Sequence, residues 1–346
     1  MIEKQLKVRK NSGYLLTDYY QRRYFSGIDV AEGYLVIDKE KTYFSDSRYT
    51  EEVENLVKGS EVVSKNFDSV KDVLKFLKER GVKSLYVDYD KTNLTLYKEI
   101  KSYKFTIRDG KKQIEKAIAL KTKEEIGYIK KACEITQKAY YTAISKVREG
   151  MTEKELRDIL ENEFISLGAD GVAFETIVAF GSGSSVPHHV TSDKRLEQGD
   201  VILIDCGAKV NGYSADLTRT AVFRTAFKEF IDDYNLVLTA NKIAIENIRA
   251  GMEVKEADAF ARRVFQSENK GEYFLHSLGH GLGLEIHEYP FMSPKRQGKL
   301  ENGNVFTIEP GLYFSGRYGI RIEDTVIMKN GKVQRLYTDD KELLIL

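Results

Sequence analysis

Cysteine is scarce in this chain: Cys133 and Cys206 are the only two among 346 residues. Two thiols cannot build a disulfide framework, so a reducing cytoplasm is the expected compartment. Long apolar runs are missing too. None approaches the ~18 residues of a membrane span. Met1 to Gly13 is basic but has no apolar core behind its charges, so a secretory signal is not expected. Net charge is nearly absent: 54 basic and 53 acidic residues leave +1, with lysines spread along the chain. That balance gives no argument for nucleic acid or an anionic membrane as partner. Histidine does not occur in the first 118 residues. No metal-ligand cluster is expected there, and Asp18, Asp46 and Arg48 read as solvated or structural. Length and an ordinary apolar content leave room for two domains and a sizeable core.

The chain is organised around Val201 to Asp216. An apolar run ends on Asp205. Asn211-Gly212 then gives a strong hairpin signal, because both central residues of a type I′ turn need positive φ. With that pair as the loop, Val210 faces Tyr213 and Asp205 faces Thr218. Asp216 then lies on the same face as Asp205, as a diagonal pair roughly 7–8 Å apart at the backbone. Cys206 points to the other face, as a buried free thiol.

This stretch is echoed. Leu196 to Gly207 returns as Leu300 to Gly311, with Asp205 matched by Glu309. A second strand carries Asp216 in one copy and Glu323 in the other. Upstream, Arg148-Glu149-Gly150-Met151 with Lys154-Glu155 returns as Arg249-Ala250-Gly251-Met252 with Lys255-Glu256. A helix-turn-hairpin unit therefore occurs twice, about a hundred residues apart. Two copies packed face to face would gather four carboxylates at one centre, where burial demands a cation or a partner.

Around these units the chain reads as helices and loops. Residues 1 to about 118 give a small α/β domain. In it, Tyr34–Ile37 and Thr42–Phe44 flank a charged four-residue turn, and Val70, Val73, Leu74 and Leu77 mark a helix stopped by Gly81. Lys121 to Arg148 is a long amphipathic helix ended by Gly150. Thr152 with Glu155 forms a capping box on the next. The domain boundary falls between about 110 and 122. Phe180 to His189 is a small-residue loop opening onto two histidines. As a phosphate loop it is weak, and a Ser–His nucleophile pair is disfavoured against a plain loop. A second long helix runs from about Phe230 to Ile248. His276, His280 and His287 then cluster among glycines, which let backbones approach closely at a crowded site.

Asp205, Asp216, Glu309, Glu323 and His280 make a ligand set of four carboxylates and one imidazole. Four negative charges neutralise two divalent cations and repel one another without them. Oxygen-rich ligands favour Mn²⁺, and less exclusively Co²⁺, Fe²⁺ or Zn²⁺. Such a pair can activate a water held between the metals and stabilise an oxyanion formed at a carbonyl. His188 and His287 remain free to donate hydrogen bonds.

With these motifs in hand, the chain resembles the pita-bread metallopeptidases of the aminopeptidase P and prolidase branch. The resemblance rests on V-P-H-H with S-D at 192–193, I-D-C-G and A-D-L-T-R-T at 215–220. It continues through G-H-G-L-G-L-E-I-H-E at 279–288, T-I-E-P-G at 307–311 and I-R-I-E-D at 320–324. Tyr24-Phe25-Ser26-Gly27 and Asp46-Ser47-Arg48-Tyr49 look like the family's creatinase-type N-terminal domain.

The resemblance implies an α+β chain. A creatinase-type α/β domain over 1–118 would precede a pita-bread catalytic domain over 119–346 with an internal pseudo-twofold repeat. It implies that Asp205 chelates one metal, Asp216 and Glu323 bridge both, and His280 and Glu309 hold the second. Glu309 would also act as general base. His188 and His287 would stabilise the tetrahedral intermediate, with His276 and Arg321 orienting the ligands. The implied reaction is hydrolysis of the Xaa-Pro bond at the N-terminus of peptides, by a homodimer.

Some prolidases carry a basic residue just after the H-E-x-P segment, suited to a dipeptide's carboxylate. Here Phe291 follows Pro290, with Lys295 and Arg296 further on. The expectation is therefore an aminopeptidase accepting longer peptides, with the dipeptidase as alternative. Methionine aminopeptidase, metal-free creatinase and a non-catalytic peptide-binding module stand further off, against the extra domain, the V-P-H-H segment and the complete ligand set.

Overall fold

The computed structural model describes residues 6–346. The first five residues of the Met1–Gly13 stretch lie outside the described residues. The chain divides into an N-terminal unit ending at Ile118 and a C-terminal unit over Ala119–Leu346.

The N-terminal unit is built on a mixed six-stranded sheet. Its order is Val62–Asn66, Lys41–Ser45, Tyr34–Ile37, Ser12–Leu16, Ser84–Val87 and Thr106–Asp109. Ile37 pairs with Lys41, so the hairpin turn has three residues rather than the expected four, because Lys41 joins the strand. The helix Val70–Glu79 buries Val73, Leu74 and Leu77 in a core shared with Leu15, Val36 and Leu85.

In the C-terminal unit each copy of the repeat pairs a long helix with a shorter one. The first pair is Lys123–Ile144 and Glu153–Ser166; the second is Lys228–Asn247 and Val254–Ser267. Both shorter helices have 14 residues, and both begin on a capping box, Thr152 with Glu155 and Glu253 with Glu256. In each box two side chains satisfy orphan N–H groups reciprocally. The first long helix is shorter than the expected Lys121–Arg148. Thr122 caps it, leaving buried Lys121 outside to pair with Glu288, and it ends before Ser145.

The first hairpin has the expected register: Val210 opposite Tyr213 and Thr218 opposite Asp205. Asn211 and Gly212 take φ of 49° and 75°, as the tight turn requires. In the second, Ile308 opposes Asp324 and Gly311 opposes Arg321. Glu309 and Glu323 therefore stand directly opposite each other, whereas Asp205 and Asp216 are diagonal. The repeat is real but not exact, since the second hairpin turns through three residues between Phe314 and Tyr318.

Threonine hydroxyls sew the two hairpins together. Thr218 donates to Glu323 Oε2 (2.6 Å), and Thr220 donates to the Arg321 carbonyl (3.0 Å). Thr325 donates to the Asp216 carbonyl (2.8 Å) and accepts from the Asp216 N–H (3.1 Å). These side chains do across the seam what a backbone ladder does within a sheet. Among the described residues, no helix is long and apolar enough to cross a membrane.

Candidate metal centre

A cavity of about 490 Å³ opens where the two hairpins meet. All nine residues singled out from the sequence line it: the acids Asp205, Asp216, Glu309 and Glu323, the histidines His188, His276, His280 and His287, and Arg321. Three of them, Asp216, His280 and Glu323, bring one ligand atom each to within 4.8 Å of one another. Glu309 Oε1 lies 3.4 Å from His280 Nε2. Asp205 stands apart from the tight group, because its Oδ2 takes a 2.6 Å ion pair from Arg321. Its Oδ1 is buried without a hydrogen-bond partner.

The local chain explains the placement. His280 sits on the strand Gly279–Gly281, pressed between neighbours. A Cβ on Gly279 would meet the Thr307 carbonyl at 2.1 Å, and one on Gly281 the Tyr289 carbonyl at 2.4 Å. Only glycine permits that approach. Thr307 accepts from the His280 N–H and donates to Glu309 Oε1, both at 3.1 Å, so one hydroxyl fixes two candidate ligands. From the helix Val254–Ser267, Asp258 accepts the Leu278 N–H, and Arg262 donates to the His276 carbonyl.

The electrostatics point to missing positive charge. Burial, then repulsion from Glu323, Asp205 and Glu309, pushes the Asp216 carboxyl well above its usual range, and burial with repulsion from Glu309 and Asp205 does the same to Glu323. Burial drives the Glu309 carboxyl up to about 8. Burial holds His280 down at about 3, so its imidazole is neutral. Its Nδ1 sits 3.2 Å from the Gly281 carbonyl, which can only accept, so the proton is on Nδ1. The Nε2 lone pair then faces Glu309 and Asp216 at 3.4 and 3.7 Å. A lone pair aimed at carboxylates is repulsive unless a cation lies between them. Together with the orphaned Asp205 oxygen, this donor set fits divalent metal.

Two further histidines differ in kind. His276 is neutral, held at about 3 by burial and then by the Arg321 charge. Its Nδ1 lies 2.9 Å from the Ser277 carbonyl and its Nε2 2.9 Å from the Tyr313 hydroxyl, which in turn accepts from Arg321. His188 is exposed to the cavity, and the His287 ring packs edge-on to His280 at 4.3 Å. Ser184 and Ser185 donate to the carbonyls of Gly181 and Ser182.

Sequence reasoning passed over several of these supports. Tyr313 lies two residues beyond Gly311, on a strand alternation that could have flagged it. Glu153 lies between the two members of the capping box. It is fully buried and accepts from the Phe180 N–H (2.8 Å) and from both the N–H and hydroxyl of Ser192 (2.7 Å each). Its Oε2 also meets His189 Nε2 at 2.9 Å, so it staples the His188 loop to the helix.

Comparison with known proteins accords with this geometry. Residues 127–330 match the model of metallopeptidase family M24, and residues 2–116 match the creatinase/prolidase N-terminal domain. The chain belongs to metallopeptidase family M24. Its C-terminal unit carries the family's pita-bread domain, behind a creatinase-type α/β domain. Among M24 relatives, a Xaa-Pro dipeptidase of Pyrococcus furiosus is 39% identical, over 93% of this chain and 92% of its own length. The solved structure of a Xaa-Pro dipeptidase from Bacillus anthracis superposes with a TM-score of 0.91 at 35% identity, over 96% of this chain and 95% of that one. An X-Pro aminopeptidase from Thermotoga maritima gives 0.88 at 33% identity, with the same coverage.

Proposed function

We propose that the chain is a metal-dependent Xaa-Pro dipeptidase, with catalysis in residues 119–346 and residues 1–118 as an accessory creatinase-type domain. The observation that carries this reading is the convergence of Asp216, His280 and Glu323 with Asp205 and Glu309 on one cavity. The relatives named Xaa-Pro dipeptidase favour dipeptides over the longer substrates suggested by Phe291. The Thermotoga aminopeptidase supports longer Xaa-Pro peptides as a second reading.

Asp205, Asp216, His280, Glu309 and Glu323 would hold two divalent ions, with Mn²⁺ the first choice for such oxygen-rich ligands. When bound, these ions supply Lewis acidity to the scissile carbonyl and a lowered pKa to water. The remaining work falls to the chain. Glu309 takes the proton of the attacking water at a carboxylate oxygen, the other end steadied by Thr307. His280 keeps its proton on Nδ1 and so keeps Nε2 available. His188 and His287 donate N–H to the oxygen that gains charge and to the leaving nitrogen. Arg321 orients Asp205 by its charge-assisted bond, while Tyr313 and His276 fix Arg321 in turn.

The test is a Mn²⁺-reconstituted assay comparing Leu-Pro, Leu-Pro-Gly and Met-Ala-Gly. Turnover of Leu-Pro well above Leu-Pro-Gly supports the dipeptidase. The reverse order supports the aminopeptidase. Turnover of Met-Ala-Gly alone refutes both.

A further inference from the structure

The second hairpin is not one continuous ladder. Val305–Ile308 and Asp324–Lys329 pair on one side of a break, Gly311–Phe314 and Tyr318–Arg321 on the other. Glu309 with Pro310, and Ile322 with Glu323, fall in the break. There the Glu309 N–H turns to the Leu278 carbonyl (2.9 Å) and the Glu323 N–H to the Thr218 carbonyl (3.0 Å). Pro310 has no N–H to offer. Two candidate ligands thus sit where the hairpin's own ladder lapses.

Asn241 spans this gap. It is fully buried on the helix Lys228–Asn247, on a face shared with Tyr234, Val237 and Ala244. Asparagine is a poor helix former, so its place among apolar neighbours must come from its partners. Its Nδ2 donates to the Ile308 carbonyl and to the Ile322 carbonyl, both at 3.1 Å. Those residues immediately precede Glu309 and Glu323. Its Oδ1 accepts from the Lys341 ammonium, 100 positions further along the chain. A lysine only donates and a carbonyl only accepts, so the three neighbours fix which way the amide points.

Lys341 reaches this place on a bend. Its φ of 64° lies in the left-handed region, uncommon for a lysine, and its carbonyl accepts from the Tyr234 hydroxyl at 3.0 Å. The bend delivers a buried ammonium to Asn241 and to Asp324 Oδ2 (2.6 Å). Asp324 Oδ1 in turn accepts from Arg219 (2.9 Å), which also donates to the carbonyls of Thr218 and Glu323. None of Asn241, Lys341, Asp324 and Arg219 lines the cavity. They hold the ligand-bearing backbone from behind.

We propose that Asn241, oriented by Lys341, is a positioning residue for the metal centre. It sets the spacing of Glu309 and Glu323 by gripping the backbone before each. This rests on the metal-dependent reading above. Asp205, held by Arg321, lies outside the clamp.

The experiment titrates the metal-stripped full chain with Co²⁺, followed by visible absorption, and with Mn²⁺, followed by calorimetry. Cobalt absorption responds to the number and geometry of its ligands. Wild type, Asn241→Asp, Lys341→Met and Val237→Ala are compared. Asn241→Asp keeps the shape and an oxygen for Lys341 but removes both donors. Val237→Ala, one turn earlier on the same helix, loosens the packing without touching either carbonyl. Asn241→Asp should lower affinity for the weaker-bound ion by about 10- to 100-fold and alter the cobalt spectrum at saturation. Lys341→Met should act in the same direction to a smaller degree, and decides alone if Asn241→Asp does not fold. Val237→Ala should lose Tm yet keep wild-type affinity and spectrum. Unchanged affinity and spectrum in both polar variants, or a loss in Val237→Ala as large as in Asn241→Asp, would overturn the assignment. Wild type that takes up neither ion would instead bring down the metal reading itself, which separates the two failures.

Discussion

At the scale of single residues, each side chain in the cavity has a job that its surroundings define. His188 is the least encumbered: exposed to the cavity and outside the tight group of Asp216, His280 and Glu323. His188→Ala should therefore keep its metal content while losing roughly 10²–10⁴ of kcat, the usual worth of one proton-transfer or oxyanion group. Metal analysis and steady-state kinetics on one preparation decide this; loss of metal would make His188 a ligand instead. Glu309→Ala should abolish turnover yet leave the unfolding transition of the metal-free protein intact or higher. The acid is buried for chemistry, and its burial costs stability. Full activity in that variant would remove Glu309 from the mechanism. The nine residues were legible because each sits in a dense local motif. Glu153 was not, since it matters through His189 and Ser192, partners that sequence order does not show. Arg321 likewise reaches back to Asp205 across 116 positions.

At the scale of elements, the hairpins were readable and the seam between them was not. Asn211-Gly212 announces its own turn, and the register follows by counting. The capping boxes were equally local. Nothing local says that Thr218, Thr220 and Thr325 will join one hairpin to the other, because a threonine in a strand is ordinary. The seam makes a quantitative prediction. Thr325→Val removes a donor and an acceptor that hold Asp216 by its own backbone. Burying that N–H unpaired costs about 1–3 kcal/mol, while the carbonyl keeps its bond from Tyr337. Metal affinity should also fall, by roughly the 10- to 100-fold typical of groups that orient ligands. Urea unfolding and a Mn²⁺ titration measure the two effects. An unchanged affinity with lowered stability would mean that the seam supports the fold but not the site.

For the whole molecule, the cost of assembling the site shows in how stability depends on pH and metal. Two pseudo-symmetric halves carry their acids into one cavity, and the folded state pays for that unless cations are bound. The direction follows from the titrations. Burial raises the Glu309 carboxyl to about 8, and Asp216 and Glu323 shift the same way. A carboxyl raised on folding holds its proton in the folded state after the unfolded chain has released it. Above about pH 6.5, where the histidines depressed on folding are neutral in the unfolded chain as well, and up to about pH 8, these carboxyls leave the metal-free folded protein with more protons than the unfolded one. Its stability must fall as pH rises through that window. Bound divalent ions remove the penalty by making the ionised forms favourable. Stripping metal with a chelator should consequently lower Tm far more at pH 8 than at pH 5.5. Each kcal/mol of the difference should move Tm by roughly 2–4 °C in a protein of this size class. Calorimetry of metal-loaded and stripped protein at the two pH values isolates the site, because groups elsewhere titrate alike in both forms and cancel. Equal Tm losses at pH 5.5 and 8 would mean that the acids in the cavity are not held together by metal at all.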